Sequence, residues 1–167
     1  MSRALRHYLV VPFTELAEVV DPWREQSVGS KPSNGVPPHV TLLAPCPGDR
    51  DAIGEVLEEV SAFNVEFHEL RRFTEVPTLY LAPEPAEPFV RLVAVLVDRF
   101  PDWPPYGGIH DTVVPHLTVT QGPAEDAAEA AVARALPLRG RAREALLLAE
   151  VAPARFEHAD RFPLQGA

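Results

Sequence analysis

Two short strings in this chain repeat each other: Pro38-His39-Val40-Thr41-Leu42 and Pro115-His116-Leu117-Thr118-Val119. Both read Pro-His-apolar-Thr-apolar, and the second follows the first by 77 residues. Six His and seven Thr in 167 residues would place His-x-Thr by chance less than once, and a preceding Pro makes a chance pair rarer still. Each copy opens an apolar run, which marks the start of a strand. In a strand, residues i and i+2 share a face. His39 therefore projects with Thr41, and His116 with Thr118, while Val40 and Leu117 point the other way into a core. The chain must fold so that two matching strands carry two imidazoles and two hydroxyls.

The segments around the motifs follow one order in both halves. Residues 6–13 read as a buried strand, and 15–26 as a helix with Leu16, Val19, Val20 and Trp23 at helical spacing, its end blurred by Pro22 and Pro32. Residues 27–37 are a loop rich in Gly, Pro and Asn, and the first motif strand spans 38–44. Asp49 or Asp51 caps a helix whose stripe is Ile53, Val56, Leu57 and Val60. In the strand at 63–70, Phe63, Val65 and Phe67 face inward and His68 faces solvent.

The second half begins with a strand at 78–82. A helix opening at Pro88 carries the stripe Phe89, Leu92, Val93, Leu96 and Phe100. A Pro/Gly loop at 101–114 leads to the second motif strand at 115–120 and an Ala-rich helix from Glu125 to Ala135. Strands at 137–143, 144–151 and 154–164 complete the chain. The expected fold is α+β: a single domain over 1–167 made of two repeats, about 5–70 and 77–143, plus C-terminal strands. Its two lobes would be related by a pseudo-twofold axis, with antiparallel sheets lining a central groove and helices packed outside.

Composition narrows the partners. A formal net charge of -9 argues against a long duplex footprint, because duplex binders displace counterions with a basic stripe. It leaves room for a small anionic substrate, or one end of an RNA, if the few cations converge on one cleft. Of the 15 basic residues 14 are Arg, which suits bidentate phosphate contacts. The single Cys46 cannot form an intramolecular disulfide, which fits a reducing, cytoplasmic setting, and between Pro45 and Pro47 it reads as inert. No run approaches the ~20 apolar residues of a membrane span, and Tyr8–Phe13 is too short for a signal segment. The expectation is a monomer with no membrane partner.

Two histidines near neutrality can divide phosphodiester hydrolysis between them: a neutral imidazole accepts a proton from water, and a protonated one donates to the leaving oxygen. His39 and His116 are the candidate catalytic pair, and the order of their roles stays open. Thr41 and Thr118 can hydrogen-bond the non-bridging oxygens. A metal reading would gather His39, His116, His110 and Asp111. It is disfavoured because zinc sites keep two ligands in a short motif and Thr fills the i+2 place in both copies. No metal and no cofactor are expected. Tyr80 shares a face with Thr78 and could stack a base or bond a phosphate, or serve as a core Tyr. Arg139, Arg141 and Arg143 alternate and could form a cationic rim or guard an edge strand. Lys31, Tyr106, Arg71 and Arg72 are loop candidates.

With both motifs placed, the chain resembles the two-histidine phosphoesterases, the superfamily of 2'-5' RNA ligase-like proteins and cyclic phosphodiesterases. The strings PPHVTLLAP, VPHLTVTQG and TLYLAPEP and the closing RFPL carry the likeness over about residues 5–164. Phe156 stands where many relatives carry Trp near the start of the last strand. The resemblance implies metal-independent chemistry on 2',3'-cyclic phosphates or 2'-5' links, with both His catalytic and both Thr binding phosphate. The expected activity is hydrolysis of 2',3'-cyclic phosphate ends of nucleotides or RNA. The alternatives are 2'-5' ligation or cleavage, and a non-catalytic module that binds an RNA end or a nucleotide.

Overall fold

The computed structural model describes residues 4–108 and 113–167. Its strands are β1 (Arg6–Pro12), β2 (His39–Cys46), β3 (Phe63–Phe73), β4 (Thr78–Glu84), β5 (Leu117–Thr120), β6 (Leu138–Ala142), β7 (Glu144–Ala152) and β8 (Arg155–Pro163). Four helices lie between them: α1 (Ala17–Arg24), α2 (Arg50–Leu57), α3 (Glu87–Arg99) and α4 (Glu125–Ala133). The strands form one antiparallel sheet, ordered β6-β3-β4-β5-β2-β1-β7-β8, which curls into a half-barrel. The order is symmetric about the β2–β5 junction, since β1 flanks β2 as β4 flanks β5. The sheets of the two lobes meet there through one registered pair, Val40 and Leu117.

Alternation decides which face of the sheet is which. Leu9 and Val11 on β1, Val40 on β2, Val65 and Phe67 on β3, Leu79 and Leu81 on β4, and Leu117 and Val119 on β5 are at most 1% exposed. They join one cluster with the apolar stripes of the helices, including Val20, Ile53, Leu57, Phe89, Leu96 and Val132. The helices therefore cover that face, and the opposite face is the wall of a groove. On the groove face of the first lobe, Val10, Leu146 and Leu148 form a separate cluster, capped by Val36 from the 27–37 loop and edged by Tyr8 and Phe156.

Several boundaries differ from the sequence reading, for local reasons. Residues 14–16 are a 3-10 turn that leads into α1, and Pro22 sits inside that helix. Asp49 is the cap of α2, accepting from the Ala52 N–H at 3.1 Å. β3 runs on to Phe73 because the hairpin stays paired to the Phe73–Thr78 step. β5 starts only at Leu117, so Pro115 and His116 lie just ahead of the ladder. Among the described residues, no helix is long and apolar enough to cross a membrane.

Candidate active site

The two motif histidines have the same local geometry. His39 Nδ1 lies 2.8 Å from the carbonyl oxygen of Pro37, and His116 Nδ1 lies 2.8 Å from that of Val114. A carbonyl oxygen can only accept, so each Nδ1 carries the proton. In the neutral ring each Nε2 then offers a lone pair, and in the charged ring an N–H. The prolines set this up: Pro38 and Pro115 hold the preceding residue extended, which brings the carbonyl two residues back against the ring.

The register joins the two copies. Val40 opposes Leu117 in an antiparallel pair, so His39 faces the Thr118 position and Thr41 faces the His116 position. The histidines are then diagonal neighbours, a placement that separates residues by about 7–8 Å and their Cβ atoms by somewhat less. Val40 and Leu117 are fully buried behind, while His39, Thr41, His116 and Thr118 are half-buried on the groove face.

Burial lowers both imidazoles. His39 falls to about 4, pushed by desolvation and further by the charges of Arg24 and His116, against the bond to Pro37. His116 is also lowered by burial, against its bond to Val114. At neutral pH the empty pair is uncharged. An anion bound beside them would supply the opposite charge that raises the affinity of either ring for a proton.

The walls of the site are unequal. On the second lobe, Phe73 stacks on Tyr80 with centroids 4.2 Å apart, and both rings stand edge-on to His116, at 5.0 and 5.6 Å. Beyond His116 opens a cleft of about 440 Å³ lined by Phe73, Val76, Tyr106, Val114 and Gln121 among others. Tyr106 has a left-handed backbone at φ 51 and ψ 34, a conformation rare for a residue with a side chain and often found at functional sites. Its phenol hydrogen-bonds Thr41, which lowers its pKa, but burial outweighs that bond and raises it.

Tyr80, the candidate for stacking a base, is 5% exposed, has Phe73 on its ring and pairs across the ladder with Thr118. His68 is a surface residue beside Glu66, as expected. The three arginines are partnered along the sheet edge: Arg139 with Glu66, Arg141 with Asn64 and the Gly166 carbonyl, Arg143 with Glu15. Arg71 pairs with Glu69, and Arg72 with Asp126 and Glu129. Lys31 lies in the 27–37 loop, at the start of its 3-10 turn. Burial pushes the Cys46 thiol up to about 12, which makes it inert at neutral pH. His110 and Asp111 lie outside the described residues. Among the described residues, no three His, Cys, Asp or Glu side chains gather to hold a metal.

Sequence reasoning missed four participants: the carbonyls of Pro37 and Val114, the ring of Phe73 and the guanidinium of Arg24. Arg24 is 2% exposed, and its place four residues after Val20 on α1 was the available signal.

The fold has counterparts. A family model for the 2'-5' RNA ligase superfamily matches residues 12–162. The chain belongs to that superfamily, the two-histidine phosphoesterases. Its fold is similar to that of Escherichia coli LigT in a complex with 3'-AMP, with TM-score 0.64 and 15% identity over 98% of this chain and 99% of that one. It is also similar to TT0787 of Thermus thermophilus, with TM-score 0.63 and 21% identity over 96% of this chain and 98% of that one. No curated protein matches the sequence. At these identities the likeness establishes the fold shared by superfamily members, and the chemistry of this member rests on its own residues.

Proposed function

We propose that this protein is a metal-independent phosphoesterase that opens 2',3'-cyclic phosphate ends of nucleotides or RNA. The observation that carries the reading is the matched pair of histidines, each with Nδ1 on a backbone carbonyl and, among the described residues, no hydrogen-bond partner at Nε2. One neutral Nε2 takes a proton from water as its oxygen attacks phosphorus. The other, protonated, gives its proton to the ribose oxygen as the P–O bond breaks. The product is a ribose phosphate monoester, and the two rings finish with protonation exchanged. Thr41 and Thr118 hold the non-bridging oxygens. The cleft beside His116 receives the nucleoside against Phe73, Val76 and Tyr106. LigT has been crystallised with 3'-AMP, ATP, NADP+ and phosphate, which supports a nucleotide-sized ligand in a groove of this kind. The expected enzyme is a cytoplasmic monomer.

The test is hydrolysis of the four 2',3'-cyclic mononucleotides and a short RNA ending in a cyclic phosphate, with chelator present. Loss of either histidine removes a group worth roughly 10²–10⁴-fold, so His39→Ala and His116→Ala each abolish most turnover. Activity that survives both substitutions overturns the assignment of the site. The superfamily name favours a second reading, 2'-5' joining of a cyclic-phosphate end to a 5'-hydroxyl end. A 2'-5' linked product from two such RNAs would establish it. Binding without turnover across pH 5–9 would instead leave a module that only holds nucleotides or RNA ends.

A further inference from the structure

The two motif histidines match each other, but what lies behind them does not. Behind His39 sits Arg24, at the end of α1 and 2% exposed. Its Nη2 donates to the carbonyl of Val36 at 2.8 Å and to that of Pro37 at 3.1 Å, while Nη1 donates to Asp21 at 2.6 Å. The Pro37 carbonyl is the one that also accepts from His39 Nδ1. The next carbonyl, Pro38, accepts from the Phe13 N–H at 2.7 Å. Three successive carbonyls ahead of the motif are thus pinned, two of them by one guanidinium.

This arrangement has a purpose beyond filling the core. A buried guanidinium is expensive unless its donors are satisfied, and an apolar side chain of similar size is often as good for stability. Here the bonds go to a segment that contains Pro37 and Pro38, neither of which can donate to a ladder. The Pro37 oxygen shares its lone pairs between a cation and the His39 ring. It therefore supports an imidazolium less well than an unshared carbonyl does.

Behind His116 the situation is reversed. Among the described residues, no side-chain donor reaches the Val114 carbonyl, and the neighbours of the ring are the aromatic rings of Phe73 and Tyr80. The charged and titratable groups that act on His39 are Arg24 from α1 and His116 from the strand across the junction, with Asp21 and Glu25 acting in turn on Arg24.

We propose that Arg24 is a positioning residue that, through the Pro37 carbonyl, holds His39 as the proton acceptor and leaves His116 as the donor. The assignment rests on the hydrolytic reading above, but its effect on the His39 ring does not.

The test uses the full chain and three variants, with folding checked by thermal melting. NMR titration of the wild type should show both rings as Nδ1–H tautomers, with His39 titrating below His116. Arg24→Lys keeps the charge but serves fewer carbonyl acceptors. It should retain the His39 titration and lose on the order of 10²-fold in kcat, with KM little changed, as misplacement of a reacting group does. Arg24→Met removes the charge, so the His39 titration and the acid limb of the kcat/KM profile should both move upward while His116 stays put. If Arg24→Met does not fold, Asp21→Asn bares the guanidinium and should move the His39 titration downward. A folded Arg24→Met whose His39 titration is unmoved, an unmoved titration in Asp21→Asn, or a wild type in which His116 titrates below His39, overturns the proposal. If no cyclic phosphate is turned over, the functional reading fails, and the titrations still decide what Arg24 does.

Discussion

His39 makes stability depend on pH in a way that can be measured apart from catalysis. Its folded-state pKa is about 4 against an ordinary value of 6.5, with burial as the largest cause. Between these values the unfolded chain binds a proton that the folded protein refuses, so stability falls as pH falls. Above 6.5 the ring is neutral in both states and contributes no slope. Below about 4 it is protonated in both, and the loss is complete. The gap of about 2.5 pH units, at roughly 1.4 kcal/mol each, amounts to about 3.5 kcal/mol. Because His39 is half-buried, solvent screens part of this and the figure is a ceiling. The assay is urea unfolding of the wild type and His39→Gln at several pH values from 7 to 4. Groups that do not interact with His39 titrate equally in both proteins, so the difference between the two curves reports His39 together with its coupling to His116. The wild type should lose up to about 3 kcal/mol more than the variant on going from pH 7 to 4. Parallel curves would refute the claim that the ring is held neutral by its surroundings.

Three further outcomes follow from the same structure. Since both histidines are lowered, the bell-shaped profile of kcat/KM should have its maximum below pH 6.5, with the kcat profile displaced upward by the bound phosphate; a kcat/KM optimum above pH 7 would contradict this. On the proposed function, Thr41→Val and Thr118→Val each remove a hydrogen bond to a charged oxygen, so kcat/KM should fall roughly 10- to 100-fold with the fold intact, and wild-type kinetics in either variant would remove that Thr from the site. Gly35 has φ 88, and a Cβ there would meet the Phe156 carbonyl oxygen at 2.3 Å. Gly35→Ala should therefore destabilise by about 1–3 kcal/mol in a melting experiment, and an unchanged melting temperature would show that the loop does not rest on β8 as described.

The strands and the helix stripes were legible because period-2 and period-3.6 patterns record which side chains meet a core, and here almost every element has one buried face. The motif residues were legible because the pattern occurs twice. Less visible was what surrounds them. A charged residue on a helix is ordinarily read as solvent-facing, and only the packing of α1 against the 36–38 segment shows that Arg24 is enclosed. Phe73 lies beyond the end of the apolar alternation at 63–70, where the hairpin stays paired as far as Thr78. Tyr106 sits in a string of Pro and Gly that reads as a generic loop. Its contact with Thr41 depends on a left-handed backbone that no local pattern specifies. In each case the missing information was a long-range contact.

Access to the pair is less symmetric than the pair itself, and this has a chemical consequence. On the first lobe the 27–37 loop folds back over the sheet, with Val36 closing the cluster of Val10, Leu146 and Leu148. His158 on β8 reaches the Gly35 carbonyl at 3.3 Å and holds that cover down. On the second lobe the corresponding face stays open beside His116, bounded by Phe73, Val76 and Tyr106. The nucleoside of the proposed substrate would therefore find room on one side of the scissile phosphate. With the base lodged there, the same imidazole faces the same ribose oxygen in every encounter. Hydrolysis of a 2',3'-cyclic mononucleotide should then yield one monoester isomer, resolved by chromatography against 2'- and 3'-phosphate standards. A mixture of the two isomers from a single nucleotide would mean that the nucleoside binds in both directions and that the open cleft does not orient it.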